Sequence, residues 1–143
     1  MMRKISAHYI FPVISDPVKY GIINCDQQGK ILEIINNCGF QKEIAALEFY
    51  DGIITPAFIT HPAESPFSVF EKIKQHQLQN QTLSLNELIG LYTLEPAIRY
   101  NCIQNMGTLE RDKTPGLYLI SGIDFVLQKL TERSILRILI PPL

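Results

Sequence analysis

The chain has 143 residues, 13 Lys and Arg against 14 Asp and Glu, and a formal net charge of −1. It is 46% hydrophobic and 19% charged, a composition that fits one globular domain and argues against a nucleic-acid binder, which would carry a basic patch. A (β/α)₈ barrel needs about 250 residues, and no apolar run approaches the ~18 residues of a membrane span.

The opening reads as β. Lys4 to Val13 is rich in β-branched and aromatic residues, and Pro12 and Pro17 bound a loop. Gly21 to Cys25 and Lys30 to Ile35 read as a hairpin pair around Asp26-Gln27-Gln28-Gly29. Asn36-Asn37-Cys38-Gly39 is a turn signal. Ile44 to Tyr50 reads as a further strand ended by the turn pair Asp51-Gly52, and Ile53 to Thr55 as a short one closed by Pro56.

The middle reads as helix. Ser68-Val69-Phe70-Glu71 has capping-box form and predicts a helix to about Gln77, with Val69, Phe70 and Ile73 on one face. The Gln-rich stretch from Gln75 to Thr82 reads as a loop. Ser84 and Glu87 form a second capping box, followed by Leu85, Leu88, Ile89 and Tyr92 at helical spacing. Thr93 is placed to cap a third helix with Pro96 in its first turn, running to about Cys102 with Ala97, Ile98 and Tyr100 packed. Leu117 to Ser121 and Ser134 to Ile140 return to β. Residues 124–129 carry no assignment. Strands, then helices, then strands predict an α+β, mainly β fold: a small β-sandwich or barrel from both chain ends, with two or three helices inserted. The expected organisation is a single domain over 1–143, with N-terminal strands in 1–59, a helical insert in 66–103 and C-terminal strands in 107–143.

Chemistry is sparse. Cys25, Cys38 and Cys102 have neither disulfide-framework nor C-x-x-C spacing and read as buried or half-buried thiols in a reducing compartment, so a cytoplasmic location is expected. After the basic start, Ile5 to Ile10 alternates like a strand and lacks the apolar core of a signal peptide. His8, His61 and His76 share no metal-clamp spacing. His8 and His76 read as surface or edge residues. His61 stands near Glu64, and the pair either does acid–base work, since His titrates near neutrality, or is an ordinary loop pair. There is no Gly-rich phosphate loop and no nucleophile elbow. Lys72, Lys74, Arg99, Arg111, Lys113, Arg133 and Arg137 are scattered rather than striped with aromatics.

Two stretches resemble the amidohydrolase superfamily, in its deaminase and chlorohydrolase-like branch. Asp51-Gly52-Ile53-Ile54-Thr55-Pro56-Ala57-Phe58-Ile59 is similar to the segment entering that family's barrel, which reads Gly, two apolar residues, x, Pro-Gly-Phe, and then His-x-His. The hairpin Gly21-Ile22-Ile23 to Gly29-Lys30-Ile31 fits the same family. Leu83 to Leu88, Thr93 to Ala97 and Met106 to Leu117 are similar to its C-terminal helix pair and Gly-x-Leu-x-x-Gly-Lys-x-Ala-Asp-Leu run, and Leu130 to Arg137 to its closing strand. The resemblance implies one β-domain assembled from both chain ends, the "composite" domain of metal-dependent hydrolases. Only a short segment separates Phe58 from Phe67 where the family carries its metal-bearing barrel. Ala57 stands for the motif Gly, Thr60 for Asn/Asp, Asp112 for the turn Gly and Pro115-Gly116 for Ala-Asp, so no catalytic, cofactor or metal residue carries over.

The expectation is therefore a non-catalytic relative of that β-domain without a cofactor or catalytic metal. The alternatives are one half of a hydrolase completed by a barrel-bearing partner chain, or a small-ligand binding module. Ile59 to Pro66 is the expected seam, a surface crossover into the first helix. A homodimer is expected, with no nucleic acid and no membrane, because deleting a barrel would uncover apolar surface. The faces of Val69, Phe70 and Ile73 and of Leu88, Leu91 and Tyr92 are its candidate contributors, unless they pack back on the chain's own sheet.

Overall fold

Isoleucine-rich segments from both chain ends build the sheet. The computed structural model describes residues 2–40 and 44–143. In order they form β1 (Arg3–Ile10), β2 (Val18–Lys19), β3 (Ile22–Cys25), β4 (Ile31–Ile35), β5 (Leu47–Pro56), α1 (Pro66–Gln79), α2 (Leu85–Gly90), α3 (Leu94–Arg99), β6 (Leu117–Asp124) and β7 (Lys129–Ile140). The seven strands make one sheet of order β4-β3-β1-β5-β6-β7, with β2 paired to β1. β1 and β5 run parallel and the other pairs are antiparallel. The α+β, mainly β layout with inserted helices is thus the observed one, and β5 and β6 join the two chain ends in one sheet.

The sheet curls without closing into a hydrogen-bonded barrel. Its outermost strands are β4 and β7. A Cβ built on Gly29, in the β3–β4 turn, would lie 2.6 Å from the Ile140 side chain at the end of β7. Between them, Ile31 donates its amide to the Lys113 carbonyl at 2.9 Å, and Asp112 donates to the Ile31 carbonyl at 2.7 Å. One face of the curl holds Ile5, Ala7, Ile23, Cys25, Ile31, Ile54, Leu117 and Ile140 around Leu109. The other face, with Ile53, Tyr118, Ile120 and Leu136, is covered by Phe58, Phe70, Ile73, Leu88 and Ile89. Each such fully buried side chain contributes roughly 1.5–3 kcal/mol of apolar transfer.

Several expectations are corrected. Asp51-Gly52 does not end a strand. Ala7 faces Tyr50 and Tyr9 faces Ile53, so β5 carries an extra residue there and continues through a bulge. The serine that caps α1 is Ser65, whose Oγ accepts from the amides of Phe67 and Ser68, and Pro66 opens the helix. The Gln-rich stretch extends α1 to Gln79 because Gln77 is buried against β7. Thr93 precedes α3 but donates its hydroxyl back to the Ile89 carbonyl at 2.8 Å. Ala97 is buried, whereas Ile98 and Tyr100 are 61% and 66% exposed. Cys38 is exposed, unlike buried Cys25 and half-buried Cys102.

The Ser84–Glu87 capping box is present in both directions. The unassigned 124–129 segment is the β6–β7 hairpin tip, where Asp124 Oδ1 accepts from the Val126 and Leu127 amides, each at 3.0 Å. Val69, Phe70, Ile73 and Leu88 pack on the chain's own sheet, so these residues do not supply an intermolecular face. Leu91 is 40% exposed and Tyr92 half-buried. Among the described residues, no helix is long and apolar enough to cross a membrane.

Candidate functional site

The crossover from β5 to α1 is a built loop at the protein surface. Ala57 and Phe58 are buried, and Ile59 donates its amide to the Tyr92 carbonyl at 3.0 Å, which pins the loop to the start of the α2–α3 link. His61 then caps a tight turn. Its Nδ1 accepts from the Ala63 amide at 3.2 Å, and its carbonyl accepts from the Glu64 amide at 2.8 Å. An Nδ1 that accepts leaves the ring proton on Nε2.

His61 and Glu64 do not form an acid–base dyad. The Glu64 carboxylate turns to Lys72 on α1, and that bond holds its pKa below the ordinary glutamate value. Both residues instead line an open cleft of about 430 Å³. Ile59, Thr60 and Pro62 complete its crossover wall, and Arg99 and Tyr100 at the end of α3 form the opposite one. The Arg99 guanidinium lies 5.1 Å over the Tyr100 ring and gives Nη1 to Glu95 at 3.2 Å.

The other two histidines sit elsewhere, both half-buried. His76 Nδ1 meets the Tyr92 hydroxyl at 2.9 Å, joining α1 to the α2–α3 link. His8 lies in β1 within an aromatic cluster: Phe125 at 5.0 Å, Phe49 at 5.4 Å and Tyr20 at 6.1 Å between ring centroids. Its Nδ1 accepts from the Gly52 amide at 3.2 Å, so the β5 bulge holds the imidazole. Sequence reasoning missed this cluster because its members come from four separate segments. Among the described residues, no three of His, Cys, Asp and Glu converge as metal ligands would.

A second depression of about 380 Å³ lies between α1 and β7. Lys74 and Gln77, which line it, are already engaged. Lys74 pairs with Glu71 at 3.4 Å and lies over Phe70, and the Gln77 amide is held by Leu130. The Cys25 thiol is pushed up to about 11 by burial, which keeps it protonated and unreactive.

No family model matches the chain, and no curated protein matches it. Among solved structures it is similar to a crystal structure of A. niger ochratoxinase, at 11% identity and a TM-score of 0.31. That alignment covers 40% of this chain and 14% of the ochratoxinase chain.

Proposed function

We propose that this chain is a non-catalytic relative of the amidohydrolase β-domain, working as a small homodimeric module in a reducing, cytoplasmic setting. The carrying observation is how the two motif-bearing stretches meet. Ile53 to Pro56 pairs with Leu117 to Ile120, and Leu109 donates its amide to the Pro12 carbonyl at 3.1 Å. A domain assembled from both chain ends is what the sequence resemblance implies. The crossover passes from β5 to α1 with no room for a barrel.

The distribution of the histidines also supports the reading. Metal-assisted hydrolysis needs three or more converging ligands and an activated water. His8, His61 and His76 stand on β1, the crossover and α1. The low charged fraction favours the dimer.

The test is metal content after exhaustive dialysis, together with the mass in solution. The purified chain is expected to retain far less than one transition-metal ion per protomer and to scatter light as twice 16.3 kDa. A stoichiometric zinc ion would overturn the non-catalytic reading. A mass near 16.3 kDa at all concentrations would overturn the dimer. Co-purification of a barrel-bearing chain that brings metal-dependent hydrolysis would favour the half-hydrolase alternative.

A further inference from the structure

We infer that the crossover cleft binds a small monocarboxylate with a flat apolar body. The inference goes beyond the proposed function and does not depend on it, because binding is read without turnover. At about 430 Å³ the cleft falls in the size range of small-molecule sites. Ile59 and Pro62 supply apolar surface, and the exposed Tyr100 ring, with Arg99 over one of its faces, adds flat aromatic surface.

The donors and acceptors are unequal. Arg99 spends Nη1 on Glu95, and among the described residues its Nε and Nη2 bond to no side chain. These two N–H groups form one edge of the guanidinium fork, the geometry that receives a carboxylate bidentately. His61 adds an Nε2–H, its Nδ1 being held by Ala63, and Thr60 adds a hydroxyl. Among the described residues, the one carboxylate on the rim, Glu64, is matched by Lys72. An acceptor-rich ligand fits this surplus of donors. Glu95 already offsets part of the Arg99 charge, so a single negative charge suits the cleft better than two. The depression between α1 and β7 lacks such a surplus, since Lys74 and Gln77 are both engaged.

The test is a titration of the isotope-labelled full chain with sodium benzoate, with benzamide and inorganic phosphate in parallel, followed by backbone amide resonances. Saturable shifts are expected at Thr60, His61, Glu64, Arg99 and Tyr100. Benzamide and phosphate should each bind about fivefold more weakly. Arg99→Gln should weaken benzoate by about fivefold and leave benzamide unchanged. Its thermal midpoint should match the parent, since the Arg99 side chain is 57% exposed. No saturable shift, shifts mapping elsewhere, equal benzoate affinity in Arg99→Gln, or tighter binding of phosphate or benzamide would each overturn the inference.

Discussion

Gln77 clasps Leu130 through both ends of its amide: Nε2 donates to the Leu130 carbonyl at 2.8 Å, and Oε1 accepts from the Leu130 amide at 3.0 Å. The helix side chain thus satisfies both backbone groups of one β7 residue. Gln77→Leu keeps the apolar stem and strands both groups in a buried place. It should cost about 2–4 kcal/mol, read as a lower urea midpoint with an unchanged slope.

Gly52 is the pivot of the β5 bulge. Its φ is +136°, and a Cβ there would lie 2.2 Å from the Ile120 carbonyl oxygen. The atoms it would meet belong to the backbone of Ile120 and Ser121, so the strand pair itself must shift. Gly52→Ala is expected to lose more than about 2 kcal/mol. Because Gly52 also donates to His8, the aromatic ring signals of Phe49 and Phe125 should move as well.

Two nearby serines should separate cleanly. Ser65→Ala removes the N-cap of α1 and should cost about 1 kcal/mol. Ser68→Ala, at an exposed position inside the first turn, should change stability by less than about 0.5 kcal/mol. Chemical denaturation of the two variants side by side checks the pair.

The Arg3–Glu48 bridge carries a pH signature. Arg3 Nε and Nη2 reach the two Glu48 oxygens at 2.9 and 2.7 Å, and the Tyr50 hydroxyl adds a bond at 2.8 Å. The bond from Arg3 holds the Glu48 pKa below the ordinary glutamate value. A lowered folded pKa contributes stability that is complete above the unfolded value of about 4.3 and fades as pH falls through the folded one. Both side chains are about a third exposed, so solvent screening limits the gain. Glu48→Gln should be about 0.5–1 kcal/mol less stable than the parent at pH 7, with the gap closing in strong acid. Urea unfolding across that range checks it.

What could be read in the sequence was local chemistry. The β3–β4 hairpin and the Ser84 box announce themselves because the residues that make them are neighbours, and both are present. The β5 bulge was hidden because Asp-Gly is a turn pair by itself, and only β1 and β6 on either side hold it extended. The last turn of α1 looked like a polar loop because the partner of Gln77 lies on β7. The same logic governs the cleft. His61 and Glu64 stood out in sequence, but Arg99 and Tyr100 read as a scattered charge and a packed ring until the end of α3 came to face the crossover.

Pro56 and Leu117 are paired residues on adjacent strands, so the sheet meets everything from 57 to 116 as one long hairpin loop. Closing such a loop costs entropy only as the logarithm of its length, about 0.6 kcal/mol for each doubling. A far longer passenger whose ends lie one strand spacing apart would hang from the same two residues at little cost, provided it offered Ile53, Tyr118 and Ile120 an apolar cover as α1 and α2 do and kept the 109–113 run that fills the other face and bonds Ile31. The framework is in this sense indifferent to the size of its cargo, and the three short helices are the economical version.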